Sequence, residues 1–268
     1  MRNLELNKKQ FFERGWCRFD YDEYLANWVQ AVLPYARQTV SEQTNAKWLR
    51  CDGTWFVGVN VLPNQPDGSV HGGPVLQGDA IDFVRQHCKP APLTFDAAQV
   101  SVCYPGYPKP MKTESDNAYR FRRDRDAAHV DGFLREGPHN HRHLRECHGF
   151  VLGIPMVEAD ETASPLMVWD GSHELVRTAM KARFENIEPS NWGDEDITEC
   201  YHKVRREIFE QCERVAVTAK PGQAYLVHRL ALHGISPWQS DAKAGADGRM
   251  ICYFRPDIGD VSSWLVDP

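Results

Sequence analysis

No stretch of this sequence approaches the roughly 20 consecutive apolar residues that a membrane-spanning helix needs. The opening segment, MRNLELNKKQFFERGW, lacks the unbroken apolar centre of a secretory leader. Both observations argue against a membrane partner. The eight cysteines (Cys17, Cys51, Cys88, Cys103, Cys147, Cys200, Cys212, Cys252) nowhere form a C-x-x-C pair, which excludes zinc-ribbon and thioredoxin-like readings. They read as free thiols of a reducing, cytoplasmic compartment. Positive charge is scarce, with 31 Lys and Arg against 37 Asp and Glu, a net charge of -6 and no basic tail. Nucleic acid is thereby excluded as a partner, because phosphate neutralisation needs a surplus of Lys and Arg on one face. There is no internal repeat and no low-complexity linker. What remains is a single domain over residues 1–268, with 42% hydrophobic residues to build a core around a pocket for a small molecule.

Tyr24, Leu25, Trp28, Val29, Val32 and Leu33 recur at helical spacing and predict an amphipathic helix over residues 21–38. Residues 54–62, rich in Trp, Phe and Val and followed by PNQPDG, predict a strand and turn; GDAIDFVRQHC from Gly78 predicts a short helix. From Ala98 the texture changes to seven short β-type runs: AQVSVCYPG, AAHVDGF, GFVLGIPMVE, SPLMVWDGS, ERVAVTAKPG, QAYLVHRLALHG and RMICYFRPD. A helical insertion, about 173–212, interrupts them with one helix from His173 and another from Asp194, and strands resume at Glu213. The pattern predicts a mainly β fold with flanking helices: elaboration over 1–97 and a double-sheet jelly-roll core of cupin type over about 98–257.

His129-Val130-Asp131-Gly132 falls at the end of a predicted strand, where residues i and i+2 point to one face, so an imidazole and a carboxylate aim at one point. Alone, so short a pattern recurs by chance and equally describes a surface His and Asp near a turn. The segment Pro221-Gly222 to Leu232-His233-Gly234 adds a second imidazole at the end of another strand pair, and Arg249 opens the strand after it. Two histidines and one carboxylate on one face of an octahedron leave positions open for a chelating co-substrate and O2, the facial-triad solution for non-haem iron.

The order H-x-D, then Gly171-Ser172-His173, then P-G-x-x-x-x-x-H with L-H-G beyond it, then an arginine opening the last core strand, resembles the phytanoyl-CoA dioxygenase family of iron(II)/2-oxoglutarate oxygenases. The resemblance covers about residues 98–257; the first hundred residues carry no motif of it. It implies a double-stranded β-helix core, Fe(II) held by His129, Asp131 and His233, and Arg249 on the distal carboxylate of 2-oxoglutarate. It further implies consumption of O2 and hydroxylation of a small-molecule substrate with release of succinate and CO2. An arginine suits such an anchor because its planar guanidinium meets a carboxylate with two parallel hydrogen bonds. Arg255 shares the strand face of Arg249, Ile251 and Tyr253 and competes for the same role; its plainer reading is a rim salt bridge. Gln99 and Tyr104 lie where family members often reach the co-substrate, with simple packing as the alternative. The chain departs from the family in placing Ile235, not a small hydroxyl residue, two positions after His233, and in a long loop over 236–248.

Other candidates have plainer explanations. His228, five residues before His233, is the rival ligand, but no Gly follows it. The cluster His139, His141, His143 and His148 lacks finger spacing and reads as a solvated loop. Trp169 reads as core, and Arg120, Arg122, Arg123 and Arg125, interleaved with Asp124 and Asp126, as a charged loop. Two rival functions stand beside the leading one: a facial-triad oxygenase whose substrate itself chelates iron, and a jelly-roll binding protein without catalysis.

Overall fold

The computed structural model describes residues 2–266. In chain order the elements are α1 (Arg2–Arg14), β1 (Trp16–Phe19), α2 (Glu23–Ser41), β2 (Leu49–Arg50), β3 (Trp55–Phe56), α3 (Asp79–His87), β4 (Gln99–Cys103), α4 (Asp116–Asp124), β5 (Phe133–Glu136), β6 (His141–Leu144), β7 (Phe150–Pro155), β8 (Leu166–Trp169), α5 (Ser172–Arg183), α6 (Thr198–Gln211), β9 (Arg214–Val217), β10 (Ala224–His228), β11 (His233–Ile235) and β12 (Arg249–Phe254). No helix among the described residues is long and apolar enough to cross a membrane.

Seven strands form one antiparallel sheet in the order β1-β10-β7-β12-β4-β3-β2. A smaller antiparallel sheet, β11-β8-β9, is extended beyond β11 by an isolated pairing of His129 with His233. On the large sheet, alternate residues Val151, Tyr225, Val227, Ile251 and Tyr253 face the small sheet and pack with Leu166, Val168 and Val217. Their neighbours Leu152, Ile154, Leu226, Met250 and Phe254 face the other way and pack with Trp28 and Val32 of α2 and Phe83 of α3. Burial on both faces explains why β7, β10 and β12 carry almost unbroken apolar runs instead of alternating with polar residues. Trp28 anchors the helical side, fully buried with its indole N–H donating to the Gly68 carbonyl at 2.8 Å. Truncating such a residue costs about 3–5 kcal/mol.

Several expectations from the sequence are corrected. The run containing Arg120, Arg122 and Arg123 is not a loop but α4, capped by Ser115, whose hydroxyl accepts the Ala118 N–H; Arg125 follows its end. Buried Arg122 forms an ion pair with Glu114. The histidine-rich segment is a β5–β6 hairpin, not a loop: His141 and His143 lie on β6, and His148 beyond it bonds to the Arg255 carbonyl. AAHVDGF contributes the isolated His129 pairing and, at Phe133, only the first residue of β5, while residues 54–62 yield only the two-residue β3. The second insertion helix begins at Thr198, after a 3-10 turn over 189–194. Trp169 is core as expected, edge-on to Phe209.

Candidate metal centre

His129 and His233 are joined backbone to backbone. His129 N–H donates to the His233 carbonyl at 2.8 Å, and His233 N–H donates to the His129 carbonyl at 3.0 Å. Glycines follow Asp131 and His233, and each sits at a close approach of another chain segment. Gly132, at φ +83°, has no room for a Cβ against the Glu146 carbonyl, and a Cβ on Gly234 would collide with the Asp126 carbonyl. Residues Asp131-Gly132 and His233-Gly234 are thus dictated by close chain crossings as well as by the side chains they carry.

The two imidazoles stand 4.8 Å apart between ring centres. His129 Nδ1 lies 3.0 Å from the Ala127 carbonyl and His233 Nδ1 lies 2.9 Å from the Ala231 carbonyl. A carbonyl oxygen only accepts, so each Nδ1 carries the proton of the neutral ring and each Nε2 presents a lone pair. Asp131 Oδ1 lies 3.1 Å from His129 Nε2 and 3.8 Å from His233 Nε2. Three lone-pair donors therefore converge, all within 4.8 Å of one another. Without a cation they repel. Adjacent donors on an octahedral ion with bonds of about 2.1 Å sit about 3 Å apart, the spacing that Asp131 Oδ1 and His129 Nε2 already hold, with His233 Nε2 somewhat wider.

Electrostatics favour the same state. Burial alone would raise the Asp131 carboxyl, but the charge of Arg255, helped by His233 and His129, outweighs it and holds the group well below the usual carboxylate value. Burial lowers His233 to about 4, against a smaller upward pull from Asp131. At neutral pH the carboxylate is ionised and the His233 ring neutral, as metal ligation requires. Asp131 and His233 side chains are 8% and 7% exposed, whereas His129 is 45% exposed, so the centre opens to solvent on the His129 side.

Arg249 opens β12 as expected and points between the sheets, where it is 7% exposed. Its Nη2 donates to the Tyr225 hydroxyl at 3.3 Å, which in turn donates to the Tyr253 hydroxyl at 2.9 Å. Tyr225 and Tyr253 lie either side of Gly153 in register, so their hydroxyls meet over that glycine. Burial opposes its charge, but the two phenols more than offset this and its pKa is raised. Arg249 Nη1 is buried with no acceptor among the described residues. A cavity of about 300 Å³ adjoins it, lined also by Tyr225, Ile251 and Arg18. Arg255, by contrast, is already engaged, with Nη1 3.4 Å from Asp131 Oδ2.

The remaining sequence candidates separate cleanly. Gln99 is half-buried, paired in register with Tyr253, and its side chain has no hydrogen-bond partner among the described residues. Tyr104 packs on the helical side of the sheet, away from the intersheet space. His228 is fully buried at the end of β10, beside His173 and Arg177, and is not part of the triad. Sequence reasoning missed Tyr201 on α6, whose hydroxyl accepts the Val130 N–H at 3.2 Å between two of the donors. It also missed Tyr225 and Tyr253, whose inward direction follows from strand alternation.

No family model and no curated protein matches this chain. Among solved structures it is similar to the non-heme alpha ketoglutarate dependent carbocyclase SnoK from nogalamycin biosynthesis, at 12% identity over 98% of this chain and 91% of that one, TM-score 0.47. It is similar to the epimerase SnoN of the same biosynthesis, at 12% identity over 100% and 90%, TM-score 0.48. It is also similar to EctD from S. alaskensis with 2-oxoglutarate and 5-hydroxyectoine, at 14% identity over 94% and 74%, TM-score 0.44. At this distance the residues of the site itself, and not the likeness, decide what the chain does.

Proposed function

We propose that this chain is an Fe(II)- and 2-oxoglutarate-dependent dioxygenase that hydroxylates a small molecule, and that its two facing sheets form a double-stranded β-helix. The convergence of His129, Asp131 and His233, with both imidazole tautomers set to present Nε2, is the observation that carries this reading. Bound iron, with 2-oxoglutarate and O2, would supply the oxidising power, with succinate and CO2 as products.

The chain's own contribution is to bind and orient. His129, Asp131 and His233 would hold the metal. Arg249 receives the distal carboxylate through its unpartnered Nη1, while Tyr225 and Tyr253 fix the direction of its guanidinium. Gln99, unengaged on the neighbouring strand and opposite Tyr253, is the further candidate contact for the co-substrate. Apolar Val151, Val168 and Val227 between the sheets exclude water from the reacting groups. Asp131 fills the position that a halide would need, so hydroxylation is the outcome expected.

The contact between Arg255 and Asp131 favours a second reading, a metal-free binding protein in which the arginine alone balances the carboxylate. One guanidinium on Oδ2 leaves both Nε2 lone pairs facing Oδ1 without a cation, which is why the metal reading ranks first. The deciding experiment incubates purified protein with ferrous iron, ascorbate and 2-oxoglutarate and measures succinate. Turnover in the wild type that vanishes in a His129→Ala, Asp131→Ala variant supports the oxygenase; failure to bind iron or 2-oxoglutarate by titration supports the binding protein. Arg249→Met should raise the 2-oxoglutarate requirement at least about 30-fold, the effect of truncating one partner of a buried charge pair. A substrate-chelating oxygenase would show no such change.

A further inference from the structure

Beside the metal centre, on the hairpin and α6, lies a concentration of positive charge that the proposed chemistry does not use. Arg135 on β5 stands directly opposite Arg142 on β6. Like charges in that position destabilise a two-stranded ribbon. Arg142 is 8% exposed and lies 4.8 Å from the centre of the Tyr201 ring, and Arg205 lies 5.3 Å from the same ring. Arg206 follows on the next residue of α6 and is exposed.

No carboxylate among the described residues is within ion-pair distance of this group. Arg135, Arg142, Arg205 and Arg206 share no ion pair with a carboxylate among the described residues. The acids of the hairpin and of the turn before α6 are taken, Glu136 by Arg145, Glu195 by Arg183 and Asp196 by His141, and Glu199, Glu207 and Glu210 of α6 form no ion pair with these arginines. Arg142 Nη1 donates to the Phe133 carbonyl at 2.6 Å, but its buried Nε has no partner. The repulsion is felt locally. His202 is held below the ordinary imidazole value by burial and then by the charges of Arg205, Arg142, Arg135 and Arg206. In a chain of net charge -6, four arginines with no direct ion pair form a local concentration of positive charge.

The geometry points to an oxyanion-binding site formed by Arg135, Arg142, Arg205 and Arg206, which takes a phosphate or carboxylate group carried by the substrate. Tyr201 links it to the metal centre: its ring carries Arg142 and Arg205, and its hydroxyl bonds to the backbone between His129 and Asp131. The solvent-exposed ligand, His129, belongs to that same backbone segment. A substrate anchored there by its charged end would present a more distant carbon to the metal. The anion site stands on the arginines alone; its role as a substrate subsite rests on the oxygenase reading.

The test is calorimetric titration of the full chain, stripped of metal so that no bound ion captures the anion, with inorganic pyrophosphate and, separately, tricarballylate. Saturable binding of either, weakened at least about tenfold in Arg135→Gln, Arg206→Gln and little changed in the charge-matched control Lys8→Gln, Lys9→Gln, is expected. The tighter of the two probes identifies the group as phosphate or carboxylate. Absence of saturable binding in the wild type, or equal loss in the control, would overturn the proposal. Retained circular dichroism of both variants separates loss of the site from loss of the fold. Because no iron is present, the result stands whatever the outcome of the succinate assay.

Discussion

The chain contains two pairs of tilted imidazoles with nearly the same geometry. His129 and His233 have ring centres 4.8 Å apart at 48°, and His173 and His228 have ring centres 4.9 Å apart at 46°. Their surroundings are opposite. In the first pair each Nδ1 meets a carbonyl, each Nε2 is left open, and the third member is a carboxylate. In the second, the Leu230 N–H occupies His228 Nδ1 and the Arg177 guanidinium faces Nε2 at 3.0 Å. Burial is nearly total for both rings of the second pair. Two histidines therefore do not make a metal site. The sign of the third group, the direction of the backbone dipoles at Nδ1 and access to solvent decide it.

The comparison breaks most sharply at Asp131. An Asp131→Ala chain should lose ferrous affinity by more than about 100-fold, measured by competition with a chelating dye, since ligand loss exceeds the 10–100-fold effect of outer contacts. Arg177→Met attacks the second pair. It removes the partner of His228 Nε2 and the donor to the Leu265 carbonyl at 2.9 Å, and should cost about 2–3 kcal/mol. That corresponds to a fall in Tm of roughly 4–12 °C, with iron affinity unchanged. Arg255→Leu should weaken iron binding by about tenfold without lowering Tm comparably, because it releases Asp131 Oδ2 and lets the carboxylate rotate.

The smallest effect is on pH dependence. Burial, foremost, holds both His173 and His228 below the ordinary imidazole value. The unfolded chain then takes up protons before the native one, so stability is fully present above about pH 6.5 and declines as pH falls below it. A His173→Leu, His228→Leu variant should show a shallower decline in Tm between pH 7 and pH 5. An equal slope in both proteins would remove the second pair from the titration.

The convergence of His129, Asp131 and His233 was legible because strand alternation and the glycines after Asp131 and His233 are local signals. The choice of His233 over His228 was legible for the same reason: only His233 has the glycine that permits the chain crossing. The role of Arg255 was half legible. Its face on β12 was predictable, but its contact with Asp131 depends on two segments far apart in sequence. The N-terminal region was least legible. Strand β1, WCRF, is too short to stand out in the sequence, and only pairing with β10 makes it an edge of the large sheet. The β5–β6 hairpin escaped because its sequences, FLRE and HRHL, are mostly polar, and it is held instead by Phe133 and Leu144 packing under α6.

The reciprocal hydrogen bonds between the His129 and His233 backbones bear on the order of events in assembly. Two of the three donors are fixed by the chain's own ladder, so their spacing does not wait for an ion. On the proposed function, the chain would finish folding first and acquire its metal afterwards, as an exchangeable guest and not as the nucleus around which the structure forms.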